Sequence, residues 1–165
     1  IEKELIKNKN VVLLATPTTI DNVSASISKL NTNFYSGLSL IKMEGLVEKI
    51  ETLNDKTDLE CFKKEIDRVI ENNLINSKKD ILKIKQKHLI LGCTHYLFVK
   101  NQISNHLKPL FVSDGGKYAA IKLKNYLIKN NLLNSQGNNY IKFIGNCAKQ
   151  NEMFYTRVVN EVKFN

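Results

Sequence analysis

A cysteine, a threonine and a histidine stand together at Cys93-Thr94-His95, directly after the apolar run His88–Gly92 (HLILG). The pattern predicts a thiol at the point where a strand turns into a helix. A helix start offers unpaired N–H groups and the positive end of the helix dipole. A thiolate is stabilised at such a place, and cysteine pKa values there fall one or more units below about 8.5. The same N–H groups can hold a substrate carboxylate. Gly92 lets the backbone approach closely, Thr94 adds a hydroxyl, and His95 supplies a proton donor or acceptor that works near neutral pH. Together they suit a cysteine acting as base or nucleophile. A bland reading is equally available from spacing alone: a small core cysteine beside a surface histidine. A second suggestive loop, Ala15-Thr16-Pro17-Thr18-Thr19, follows another apolar run, Asn10–Ala15 (NVVLLA).

These loops need elements to hold them. Ile1–Lys9 reads as a short amphipathic helix, and Asn10–Ala15 as a buried parallel strand. Thr18 or Thr19 can cap a helix that runs to about Leu30. A strand within Asn33–Ile41 and a helix from about Gly45 to Leu53 come next. Helix Leu59–Asn73 then carries Leu59, Phe62, Ile66, Val69 and Ile70 on one face. A lysine-rich connector leads to strand His88–Gly92 and a helix from about Tyr96 to His106. Strand Leu110–Val112, helix Tyr118–Lys129 (opened by Gly115-Gly116), loop Asn134–Asn139, strand Tyr140–Ile144 and helix Ala148–Lys163 complete the chain. Alternation of strand and helix predicts an α/β fold with a mainly parallel sheet flanked by helices. Ligands bind at the carboxyl ends of such strands, where both loops lie.

Composition narrows the function classes. The chain has 165 residues, enough for one domain or two small lobes. At 42% hydrophobic and 25% charged it is a foldable chain rather than a disordered one. No apolar run reaches the roughly 18 residues of a membrane span, and Ile1–Asn10 lacks the apolar core of a signal peptide. Starting on Ile1 rather than Met, it reads as a piece of something longer. The formal charge of +9 suggests an anionic partner, yet all but Arg68 and Arg157 of the 25 cations are lysine. The residue best suited to forked phosphate contacts is nearly missing, so nucleic acid is not the expected ligand. Three widely spaced cysteines, Cys61, Cys93 and Cys147, argue against a disulfide framework or a closed zinc site, and for a reducing, cytoplasmic setting. Cys61 falls in a predicted surface helix and reads as structural, whereas Cys147 follows Gly145-Asn146 at a strand end and could line a cleft.

Three segments in order carry a resemblance. Leu89-Ile90-Leu91-Gly92-Cys93-Thr94-His95-Tyr96 resembles a signature of the aspartate/glutamate racemase family. Leu13-Leu14-Ala15-Thr16-Pro17-Thr18-Thr19-Ile20 is similar to that family's threonine-bearing loop. Leu38-Ser39-Leu40-Ile41-Lys42-Met43-Glu44-Gly45 resembles its apolar segment ending in a functional glutamate and a glycine. The resemblance runs from about Val11 to Tyr126 and corresponds to the carboxyl-terminal portion of such an enzyme.

It implies interconversion of L- and D-glutamate, for bacterial peptidoglycan, by proton transfer between two thiols without pyridoxal phosphate or metal. Carried over by position, Cys93 is one of the two thiols, His95 assists its proton traffic, and Glu44 is the carboxylate that pairs with the histidine. Thr94, Thr16 and Thr19 are substrate-binding. Glu48 and Glu51, on the following predicted helix, read as solvated. The other half-site should come from an Asp-Ser-Gly loop and a Cys-Asn-Thr loop, and this sequence has neither; a late Ser113-Asp114-Gly115 is a scrambled version of a family turn. Lys42 stands where a proline is usual, and Asn22 and Ala25 replace the serine and tyrosine common after the threonine loop.

The resemblance also implies a two-lobed architecture. Residues 1–112 would be the second lobe, and residues 113–165 a segment returning to pack on a first lobe that this sequence does not contain. The expected partners are glutamate and the missing lobe or a second subunit. Exposed apolar edges would otherwise favour instability or self-association. As given, the chain is expected to be inactive or weak. Two alternatives remain at this level: a non-catalytic binding or regulatory module, and a racemase of aspartate or another small amino acid.

Overall fold

Five consecutive apolar residues, Val11–Ala15, form β1, and all but Leu13 are buried, as the middle of a parallel sheet requires. In the computed structural model β1 lies between β2 (Leu38–Lys42) and β3 (His88–Leu91), and β4 (Phe111–Asp114) lies outside β3. The order is β2-β1-β3-β4 and every pairing is parallel. The structure describes residues 10–30, 37–53, 56–77 and 87–133, with positions 142, 144, 145, 149, 152, 153 and 156. Each crossover is helical: α1 (Pro17–Leu30), then α2 (Leu46–Glu51) with α3 (Leu59–Asn76), then a 3₁₀ segment (Thr94–Val99) running into α4 (Lys100–Leu107). Helix α5 (Gly115–Lys129) follows β4. The predicted α/β class with a parallel sheet is what the chain adopts.

The main core joins Val12, Leu14, Ile41, Leu89 and Leu91 of the sheet to buried residues of α2, α3 and α4. Helix α3 contributes Phe62, Ile66, Ile70 and Leu74, spaced four apart on one stripe. Burying each of these stabilises the fold by about 1.5–3 kcal/mol, and Ile66→Ala, at a fully buried position, removes one such contribution. Its amino end is closed by Asp58, whose carboxylate accepts from the Cys61 N–H at 2.7 Å. His106 Nε2 of α4 lies 3.1 Å from Asp67 Oδ1 of α3, and Lys49 of α2 pairs with Glu65 at 2.6 Å. These contacts tie α3 to both of its helical neighbours.

Several boundaries differ from expectation. Helix α1 starts at Pro17, with Thr16 rather than Thr18 or Thr19 preceding it, and the Ile20 N–H donates to the Thr16 carbonyl at 3.0 Å. Proline fits that first helical position because the N–H it lacks would be unpaired there. The helix expected from Tyr96 begins two residues earlier as the 3₁₀ segment. β4 reaches Asp114, two residues beyond the strand end expected at Val112. Asp114 accepts from the Gly116 and Lys117 N–H groups, which starts α5 at Gly115 instead of Tyr118. The expected helix 1–9, the lysine-rich connector, loop 134–139, strand 140–144, helix 148–163 and Cys147 lie wholly or largely outside the described residues.

Helix α5 is unusual in burying none of its residues, although Tyr118, Ile121, Leu123, Tyr126 and Ile128 are large and apolar. Its charged side chains are all lysines: Lys117, Lys122, Lys124 and Lys129. Among the described residues no helix is long and apolar enough to cross a membrane.

Candidate active site

The parallel register pairs Leu14 with Leu91, so the carboxyl ends of β1 and β3 lie side by side. The Gly92 N–H donates to the Leu14 carbonyl at 2.7 Å, which extends this pairing one residue beyond β3. Close approach is why glycine stands here. A Cβ at position 92 would lie 2.9 Å from Leu13 Cδ1, 3.0 Å from Ala15 Cβ and 3.1 Å from the Leu14 oxygen. The loop bearing Cys93 is thereby set next to the loop bearing Thr16 and Thr19, whose hydroxyls lie 3.0 Å apart.

Cys93 is extended (φ −135°, ψ 136°) and half-buried, and its carbonyl accepts from the Tyr96 N–H. Its Sγ lies 3.8 Å from His95 Nδ1. The other ring nitrogen, Nε2, lies 3.1 Å from Glu51 Oε1. A neutral imidazole that gives its Nε2 proton to Glu51 presents the Nδ1 lone pair to the thiol. A thiol, an imidazole and a carboxylate in successive contact are the groups that a base-activated nucleophile uses. His95 also meets Phe98 edge-on, with ring centroids 6.4 Å apart, which limits the swing of the imidazole.

The carboxylate on His95 is thus Glu51, where the sequence pointed to Glu44. β2 ends at Lys42, and Gly45 adopts the left-handed conformation (φ 71°) that turns the chain into α2. Glu44 precedes that turn and is exposed; its backbone is bonded to Asn73 of α3, and its charge acts on Lys42. Glu51 ends α2 and is brought to the imidazole by the helix. Glu51, expected to be solvated, is 59% exposed and also pairs with His95. Its signal in the sequence was its place next to buried Ile50, which puts it at the rim of the packed face.

The structure therefore joins Cys93 and His95, sets the Thr16 and Thr19 loop on the neighbouring strand end, and bonds Glu44 through its backbone to Asn73. Thr94 is exposed at the start of the 3₁₀ segment. Cys61 is exposed on the first turn of α3, a different element. Tyr96 was not singled out from sequence; it is fully buried behind the loop, and its hydroxyl has no hydrogen-bond partner among the described residues. Burial first, and then the charges of Cys93 and Glu48, push its phenol well above the usual range. At the edge of the site Lys42 pairs with Asp21 at 2.8 Å, and this hydrogen bond with its accompanying charge raises the lysine pKa. Among the described residues no cluster of His, Cys, Asp and Glu is suited to a metal ion.

No protein-family model matches the chain. Individual proteins do. Glutamate racemase of Clostridium novyi is 32% identical over 152 residues, covering 90% of this chain and 54% of that enzyme. Glutamate racemase of Clostridium kluyveri is 35% identical over 131 residues, covering 76% and 45%. A crystal structure of the Francisella tularensis glutamate racemase in complex with D-glutamate superposes with a TM-score of 0.59 at 26% identity, covering 93% of this chain and 57% of that one. The chain is a relative of the glutamate racemases. It spans about half the length of the relatives it matches. Glutamate racemase isoform RacE1 from Bacillus anthracis, 20% identical with a TM-score of 0.56, shares the fold. The likeness to glutamate racemases accords with the resemblance carried by the Cys93, Thr16 and Glu44 segments.

Proposed function

We propose that this chain supplies one half-site of a glutamate racemase, with Cys93 as the thiol on one face of the substrate α-carbon. The observation that carries the reading is the alignment of Cys93, His95 and Glu51 beside the threonine loop. His95 Nδ1 accepts the thiol proton while Glu51 accepts from Nε2. The Cys93 thiolate then removes the α-proton: the S–H bond forms, the C–H bond breaks, and its electron pair stays on carbon. Return of a proton from a thiol on the opposite face completes inversion, and that thiol belongs to a second half-site. Neither pyridoxal phosphate nor a metal enters this scheme. The carbanion is stabilised by hydrogen bonds and by the substrate's own ammonium. The Thr16, Thr19 and Thr94 hydroxyls donate to the substrate carboxylate and accept from its ammonium. The product, D-glutamate, would serve peptidoglycan synthesis in the cytoplasm.

The unburied apolar surface of α5 supports the companion proposal that residues from about 113 onward pack on another half-site, in the same polypeptide or in a second subunit. The chain alone then exchanges the α-proton of one glutamate enantiomer slowly and inverts neither.

The test is proton NMR of each enantiomer in deuterium oxide with the full chain. The expected result is loss of the α-proton signal of one enantiomer, abolished by Cys93→Ala. Exchange that is indifferent to Cys93→Ala would defeat the assignment, and faster exchange with aspartate would move the substrate to the smaller acid. The basic, apolar α5 favours one second reading, a non-catalytic module that docks on an acidic protein surface. Binding that falls steeply with salt and ignores Cys93 would mark it.

A further inference from the structure

We propose that Asn73 of α3 is a positioning residue: by clamping the turn that opens α2, it sets where Glu51 meets His95. The inference rests on reading Cys93, His95 and Glu51 as a proton relay. Asparagine is a poor occupant of a helix interior because its amide competes for backbone groups. Here the competition is put to use. Asn73 Oδ1 accepts from the Glu44 N–H at 2.9 Å, and Nδ2 donates to the Glu44 carbonyl at 2.9 Å and to the Val69 carbonyl at 2.8 Å. The two bonds to Glu44 reproduce what a neighbouring strand would offer one residue, made instead by a side chain 29 positions away.

The turn so held needs holding. Gly45 is left-handed, and open space surrounds the position its Cβ would take. Helix α2 has six residues and no side-chain bond at its amino end. A helix of that length is not stable by itself, and being only about 9 Å long it moves as one rod when its start moves. Burial of Leu46 and Ile50 fixes which way the rod faces, and the Lys49–Glu65 pair secures its solvent side. The Asn73 clamp fixes its entry. Helix α3 is a firm base, with 18 residues, a capped start and four core side chains.

Placement matters here because Glu51 and His95 side chains are 59% and 32% exposed. In so wet a setting a displaced carboxylate is readily replaced by water, and attraction alone does not hold the pair.

Cys93 alkylation by iodoacetamide at neutral pH reads the relay without requiring turnover, and peptide mass spectrometry resolves it from Cys61 and Cys147. All reactions use the full chain, well below each variant's melting temperature. Glu51→Gln should slow Cys93 alkylation about five-fold, the worth of one hydrogen bond. Asn73→Ala should slow it in the same direction. Asn73→Asp, which keeps shape and acceptor but loses both donations, should fall between. The Glu51→Gln/Asn73→Ala pair should be no slower than Glu51→Gln alone. Val69→Ala, a packing change on the same helix that leaves the carbonyl in place, should lower Tm and leave the rate alone. Asn73 variants that lower Tm with an unchanged Cys93 rate would overturn the proposal, as would slowing that adds fully to that of Glu51→Gln. A Glu51→Gln variant of unchanged rate would overturn it too. Failure of glutamate exchange with the coupling intact would remove the racemase reading and leave Asn73 in its positioning role.

Discussion

Gly92→Ala puts a methyl group into the seam between β1 and β3, where the thiol loop begins. The new Cβ would sit 2.9 Å from Leu13 Cδ1, 3.0 Å from Ala15 Cβ and 3.1 Å from the Leu14 oxygen. Favourable carbon contacts lie at about 3.5–4.0 Å, so each distance is short by several tenths of an ångström. Leu13 is only partly buried and its methyl can rotate away. Ala15 Cβ and the Leu14 carbonyl are anchored in the central strand and cannot. The end of β3 must therefore move out, stretching the 2.7 Å bond from the Gly92 N–H to Leu14. Overpacking of this kind costs about 1–3 kcal/mol. For a chain of this size that lowers Tm by roughly 2–12 °C, measurable by calorimetry. The same movement displaces Cys93, so its alkylation rate should change along with Tm. A Leu13→Ala background should recover only the part of the cost due to the mobile methyl. Gly92→Ala with an unchanged Tm and an unchanged Cys93 rate would refute the argument that glycine is required by close approach.

Gly45→Ala should destabilise by about 1–2 kcal/mol through backbone strain alone, since nothing crowds its Cβ, and Gly45→Asn by less; urea denaturation checks both. Glu44→Gln should leave Cys93 alkylation unchanged, and slowing equal to that of Glu51→Gln would reverse the assignment of the His95 partner. Tyr96→Phe removes a buried hydroxyl that has no partner among the described residues, so stability should hold or rise by up to about 1 kcal/mol. Burial keeps that phenol protonated in the fold above pH 10.0, where the unfolded chain releases its proton, so it makes stability fall as pH rises past that point, and Tyr96→Phe should remove this part of the fall. Burial acts oppositely on Lys87, lowering its pKa from 10.5. Between its folded value and 10.5 the unfolded chain binds more protons and stability rises with pH; Lys87→Met should be more stable at neutral pH and lack that rise, and denaturation curves parallel to those of the unsubstituted chain would refute it.

The exposed apolar residues of α5 are what the proposed second half-site would cover. A helix with apolar residues around most of its circumference belongs inside a packed structure, and α5 buries none among the described residues. That the chain past Val112 returns to another lobe stays part of the proposal. β4 must first pair with β3 through Asp114, whose carboxylate then caps the outgoing helix.

Local patterns settled what local physics controls. The continuous apolar run Val11–Ala15 marked a buried parallel strand, His88–Leu91 marked a second strand, and helical spacing marked the core face of α3. A strand running into Cys93-Thr94-His95 marked the thiol loop, because neighbours in sequence stay neighbours in any fold. The carboxylate opposite His95 was different. Glu44 and Glu51 are seven residues apart, and both are acidic and solvent-facing. Choosing between them requires the left-handed turn at Gly45, the roll of α2 about Leu46 and Ile50, and the anchoring of that turn by Asn73 from another helix. The sequence by itself determined the class of fold and the place of the Cys93 thiol at the end of a strand. Which carboxylate serves its histidine was decided only by tertiary structure, because that contact depends on the packing of elements whose residues lie far apart in the chain.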